Sequence, residues 1–210
     1  MANDLMDLLQ GQLTDGLLDQ MSAQLGGASK EQTAVAASGI FNTLVGALAK
    51  NASTPEGANS LVNALDNDHD GSILDNITDI FQGQSQAQTV SQKTLNGAGI
   101  LNHLLGDRQD GAASMISQMS GLDKGQTGNL MSMLAPMVLG TLGKQRSQGG
   151  MDVASIASLL TGTVSNQRSN NTNNPAMSLV TKFLDSDGDG SIVDDVAGIG
   201  MKLLGNLFKK

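Results

Sequence analysis

Two segments of this chain repeat one arrangement of side chains, and they constrain its fold more than anything else in it. Asp66-Asn-Asp68-His-Asp70-Gly71-Ser72-Ile73 and Asp185-Ser-Asp187-Gly-Asp189-Gly190-Ser191-Ile192 place carboxylates at positions 1, 3 and 5, glycine at 6 and serine at 7. This is the first part of an EF-hand-type loop, in which oxygens surround a hard divalent cation and the glycine permits a sharp turn. Three acids alternating along one turn repel one another without a cation, and both copies keep all three. Such a loop joins two helices, so the expectation is a helix–loop–helix unit made twice.

Both loops depart from the full EF-hand in the same way. Position 12, where a bidentate Glu normally closes the sphere, is Ile77 in one and Val196 in the other. An acid stands instead at position 10, Asp75 and Asp194. It either closes the coordination sphere, directly or through water, or serves as N-cap of the exit helix. The metal ligands expected are Asp66, Asp68, Asp70, Ser72 (through its carbonyl) and Asp75, with Asp185, Asp187, Asp189, Ser191 and Asp194 in the second loop. The cofactor expected is Ca²⁺, two ions in all, with Mg²⁺ the lesser fit. The missing bidentate Glu points to weak binding, on the order of 10⁻⁴ to 10⁻³ M. Ile73 and Ile192, at position 8, either bridge the two loops or anchor each into the core, and the anchor is the simpler role.

The charge distribution agrees with ion binding. The chain has 18 Asp and two Glu, and ten of those Asp lie in or just after the loops. Removing these ten from the net charge of −8 leaves +2, so the acidity is local. With no basic stripe and no stacking aromatics beyond four Phe, nucleic acid is not expected as a partner. Without Cys there is no disulfide, thiolate nucleophile or thiolate-bound metal. His69 stands at loop position 4, where a side chain points outward, and His103 lies in an apolar helical stripe. No nucleophile and base assemble from this set, so no catalytic residues and no organic cofactor are expected.

The remainder reads as helix. Leu5, Leu8, Leu9 and Leu13 share a helical face, as do Leu17, Met21 and Leu25. Ser29 and Gln32 form a capping-box signature ahead of the stripe Ala37, Phe41, Leu44, Val45 and Leu48. Thr54-Pro55-Glu56 is a helix start. An exit helix is expected over 76–81. Further stripes include Ile100, Leu101, Leu104 and Leu105, and Leu130 to Leu142 with Pro136 inside it as a kink. No period-two alternation is present, so the fold class is all-α, a bundle of short helices. Small residues such as Gly46, Gly140 and Gly143 let helices approach closely.

Ser29-Lys-Glu-Gln-Thr matches Asp123-Lys-Gly-Gln-Thr at an offset of 94, with Gly46 and Gly140, Leu48 and Leu142, and Lys50 and Lys144 in step. Two related halves follow. An N-terminal half, 1–82, holds the first Asp loop (66–77). A C-terminal half, 91–210, holds the second (185–196). Polar stretches at 83–90 and 163–174 read as linkers. The segment Val196 to Lys210 is amphipathic, and a core-facing helix is favoured over a membrane-surface one. No secretory leader or bilayer-length apolar stretch is read from the sequence. A cytoplasmic location is the default, although weak calcium sites favour unconventional export.

Leu101-Asn-His-Leu-Leu-Gly-Asp-Arg-Gln, Ser120-Gly-Leu, the run Met133 to Lys144, and Phe183-Leu-Asp-Ser-Asp-Gly-Asp-Gly-Ser-Ile-Val-Asp-Asp carry a resemblance to the bacterial domain of unknown function 937 family, related to the YidB-like proteins. The resemblance covers most of the chain and is most specific over 95–200. It implies an α-helical bacterial protein with no established enzymatic activity and no catalytic residues to carry over. The function expected is a non-catalytic calcium-binding protein whose ions stabilise helix–loop–helix joints. The alternative is a structural subunit that self-assembles with calcium as trigger, its partner being a second copy of itself.

Overall fold

The computed structural model describes residues 5–77, 80 and 93–170. Several of its helices begin where short polar side chains supply the hydrogen bonds that a first turn lacks. Thr14 accepts from the Leu17 amide and opens α2 (Asp15–Gln24), which follows α1 (Leu5–Gln12). Ser29 and Gln32 form the expected capping box, each side chain bonding the other's amide at 3.1 Å, and open α3 (Lys30–Asn51). Thr54 caps α4 (Pro55–Asn67), with Pro55 in the first turn, where its missing N–H removes nothing.

Past the first Asp loop come α5 (Ser72–Asp75), α6 (Gly97–Leu105), a 3₁₀ turn (Gly106–Arg108) and α7 (Gln109–Ser120). Asp123 and Gln126 form a second capping box that opens α8 (Lys124–Gly149). Asp152 accepts from the Ser155 amide at the start of α9 (Val153–Asn170). The described residues are helical and contain no strand.

The core forms around α3 and α8, which pack on each other. α3 is buried on several sides at once, from Ala36 and Ala37 through Phe41 and Leu44 to Leu48, because α2, α7, α8 and α9 all pack against it. On α8, Leu130, Met131, Leu134, Met137 and Leu142 are fully buried. One contiguous apolar cluster includes residues of α1 to α4 and of α6 to α9. The two capping boxes also reach across to the opposite element. Gln32 Nε2 donates to the Gly121 carbonyl at 2.9 Å, and Gln126 Nε2 donates to the Leu25 carbonyl at 2.7 Å.

Pro136 lies inside α8 without ending it. It cannot donate to the Ser132 carbonyl four residues back. That carbonyl faces the N-terminus of α6, and a Cβ on Gly97 would stand 1.8 Å from its oxygen. A glycine there is what lets α6 and α8 come together.

Two boundaries differ from the sequence reading. A short helix, α5, comes before the exit helix expected over 76–81, because the chain turns at Gly71, whose φ of 98° ends the preceding conformation; within the expected span Ile77 and Ile80 are helical. The stretch from residue 163, expected as a linker, continues α9 to Asn170. Thr163 and Val164 are buried, so packing holds these turns although their neighbours are polar. The linker expected over 83–90 lies outside the described residues, as do residues 171–210.

Candidate functional site

The first Asp loop begins in the last turn of α4 and is fixed from below by its own backbone. The amides of Asp68 and His69 both donate to the Ala64 carbonyl at 3.0 Å, which closes the helix. Asp70 then turns its carboxylate toward Ser72, accepting the Ser72 amide at 3.0 Å. Between them Gly71 takes the left-handed conformation that favours glycine. The same hydrogen bond holds the Asp70 carboxyl below its ordinary pKa.

The loop docks on the C-terminal third of α8. A Cβ on Gly143 would stand 1.7 Å from the His69 carbonyl oxygen, and one on Gly140 would stand 2.4 Å from Ile73 Cγ2. Ile73 is 3% exposed. It anchors the loop to α8, the simpler of its two expected roles. On the other side, Thr94 donates its hydroxyl to the Asp68 carbonyl at 2.5 Å.

The expected ligands are therefore gathered in one bend, but their side chains are not all turned to one point. Asp66 faces α8, where Arg146 grips it with two parallel hydrogen bonds, Nε to Oδ1 at 2.6 Å and Nη2 to Oδ2 at 2.7 Å. The guanidinium holds the Asp66 carboxyl below its ordinary pKa. The same Arg146 donates to the Met151 carbonyl, so it ties the loop to the turn between α8 and α9. Asp75 accepts from Lys144 Nζ at 3.1 Å. It is the last residue of α5, whose N-cap is Gly71. The Ser72 carbonyl, the expected backbone ligand, accepts from Asn76 Nδ2 at 3.2 Å. Among the described residues, no three His, Asp or Glu side chains converge as a metal centre requires. Asp185, Asp187, Asp189, Ser191 and Asp194 lie outside the described residues.

His69 corrects an expectation. Its side chain points inward, not outward, and the residue is 5% exposed. Burial lowers its pKa against the pull of Asp68 and Asp70, which favours the neutral imidazole. It lines a cavity of about 480 Å³ between α3, α4, α6 and α8. Sequence reasoning also missed Lys144 and Arg146. Their signal was the run Gly140-Thr-Leu-Gly143-Lys144-Gln-Arg146, where two small residues and two cations occupy the last turns of one helix.

Among the described residues the protein is a helical bundle with one contiguous apolar core and an acidic loop clamped to its longest helix. The chain belongs to the family described as bacterial protein of unknown function (DUF937), which it matches over residues 7–145. That span takes in the first Asp loop and the motifs at 101–109, 120–122 and 133–144. It ends before the Phe183–Asp195 segment. No curated protein and no solved structure matches the chain.

Proposed function

We propose that this is a non-catalytic protein whose Asp66–Asp75 loop takes a calcium ion and thereby fixes the joint between α4, α5 and α8. The observation that carries this is the spacing Asp66, Asp68, Asp70, Gly71, Ser72 on a bend where Gly71 is left-handed and Asp70 already folds back on Ser72. Asp66, Asp68 and Asp70 would supply carboxylate oxygens, with the Ser72 carbonyl and Asp75 completing the set. Arg146 and Lys144 would then release Asp66 and Asp75. Both ion pairs are partly solvent-exposed, so opening them costs less than opening a buried pair, the two-bonded Arg146 pair being the costlier. The repeated spacing extends the proposal to Asp185, Asp187, Asp189, Ser191 and Asp194.

Two related halves are part of the same proposal. Adding 94 to the bounds of α2 gives 109–118, within α7, and adding 94 to those of α3 gives 124–145, within α8. The crossed bonds of Gln32 and Gln126 fit such a relation.

A second reading is favoured by Arg146 and Lys144 themselves. They supply the positive charge that a cation would bring, and the joint would then be metal-free. Thermal melting separates the two. At calcium 100-fold above its Kd, binding stabilises by about 2.7 kcal/mol per site. That raises the midpoint by roughly 5–10 °C for a chain of this size. Calorimetry gives the Kd, and Asp70→Asn should weaken it. A midpoint that ignores both 10 mM calcium and chelator supports the metal-free joint. Light scattering during the same titration tests self-assembly, which a monomer at saturating calcium excludes.

A further inference from the structure

We infer that the cavity between α3, α4, α6 and α8 is a binding site for a small amphipathic anion, with a medium-chain carboxylate as the class of ligand. Its volume of about 480 Å³ lies in the range of small-molecule sites. The wall is largely apolar, with Leu48 of α3, Leu61 of α4, Ile100 of α6 and Leu139 of α8 among the lining residues. Leu61 and Ile100 are 7% and 9% exposed, while Leu48 is fully buried.

The polar lining residues are Asn51, Ser60, His69, Lys93, Asn96 and His103, and the side chain among them that carries a full charge, Lys93, is a cation. Lys93 and His103 line the cavity and are exposed, so a cation and a ring N–H donor stand where the cavity meets solvent. Among the described residues, no Asp or Glu lines it. In a protein of net charge −8, a cavity with a cation and no acid selects against cationic ligands. An apolar chain with a negative head matches both parts, the chain along the leucines and the head toward Lys93.

A second observation points the same way. His69, in the wall and more than nine-tenths buried, has an Nδ1 that finds no hydrogen-bond partner among the described residues. Buried polar atoms left unsatisfied by the protein are rare, and this one is covered just behind the cavity wall, where a turn of the ring would bring it to a bound polar group or an ordered water. The inference stands whether or not the Asp loop binds a metal.

The test uses the full chain and straight-chain probes: hexanoate, octanoate and decanoate, with octanol and octylamine as controls, all below their micelle concentrations. Affinity is read by calorimetry and position by methyl NMR. Octanoate should bind, with Leu48, Leu61 and Leu139 methyls shifting. Each added methylene should tighten binding about fourfold, the equivalent of about 0.8 kcal/mol, until the cavity is filled. Octylamine should bind at least tenfold more weakly than octanoate. Lys93→Glu and His103→Glu, both at exposed positions, should weaken octanoate about tenfold and leave octanol within twofold. Loss of all binding in a variant whose melting midpoint has dropped is checked with Lys93→Gln, which removes the charge alone. The inference is overturned if octanoate does not bind at millimolar concentration, if octylamine binds as tightly, or if the shifts fall away from these methyls.

Discussion

Arg146 holds Asp66 through two parallel hydrogen bonds of 2.6 and 2.7 Å, and so joins the end of α4 to the last turns of α8. The pair sets a guanidinium against the first acid of the Asp-rich loop. Removing it separates the structural role of the arginine from any competition with calcium. Arg146→Met should lower the melting midpoint in chelator, since the Met151 carbonyl also loses its donor. If calcium binds the loop, the same variant should bind it more tightly than the parent, because Asp66 is freed. Calorimetry on both proteins checks this, and unchanged or weaker binding removes Arg146 as a competitor.

The pair also predicts a pH dependence. The Asp66 carboxyl titrates below its ordinary value because Arg146 bonds its charged form. A depressed folded-state pKa stabilises the protein above the unfolded value, about 3.9, and that contribution disappears as pH falls through the folded value. Asp70 and Asp152 shift in the same direction, each through bonds from a serine two or three residues on. Stability should therefore decline below about pH 4. Asp66→Asn should flatten part of that decline in denaturant melts taken from pH 5 to 2.5, and a parallel curve would deny the pair its role.

The contact between Gly143 and His69 should be the least tolerant of change. Gly143→Ala sets a methyl 1.7 Å from a backbone oxygen, so either the loop or α8 must move. A loss of about 3 kcal/mol is expected, the upper end for overpacking. Gly128→Ala is the control, because Gly128 lies in the same helix with no atom of the described residues near its Cβ position. It should stabilise by up to about 1 kcal/mol through helix propensity. Urea titration of both variants gives the comparison, and equal effects would mean that the close approach carries no weight.

Gln32 and Gln126 each make two useful bonds, one within a capping box and one to a carbonyl of another segment. Replacing either by Ala should cost about 1 kcal/mol, or roughly 2–4 °C in the melting midpoint. Gln32→Glu keeps the acceptor that bonds the Ser29 amide but cannot donate to Gly121, so it should fall between parent and Gln32→Ala. A Glu variant as stable as the parent would show that the cross-link to Gly121 contributes nothing.

Much of the helical layout was legible in the chain itself, because its signals act over three or four residues. Ser29 with Gln32 and Thr54 with Pro55 mark helix starts through bonds that need no distant partner. The stripe through Phe41, Leu44 and Leu48 lies in the core as its spacing requires. The turn at Gly71 was legible for the same reason, since a positive φ is a local demand. The extent of α9 was less so. Residues 163–170 have little helical pattern of their own, and the burial of Thr163 and Val164 comes from packing.

The sequence by itself determined an all-helical chain, the position of the Asp66–Asp75 bend and the oxygen-rich character of its side chains, because these follow from local backbone preferences and residue chemistry. Only the tertiary structure decided where those side chains turn. Asp66 faces Arg146 from 80 positions away, Asp75 faces Lys144 from 69, and His69 turns into a cavity rather than out to water. Such choices depend on which charge and which gap another helix brings within a few ångströms. No local preference encodes that, since Coulomb attraction and close packing act on distance in space rather than along the chain.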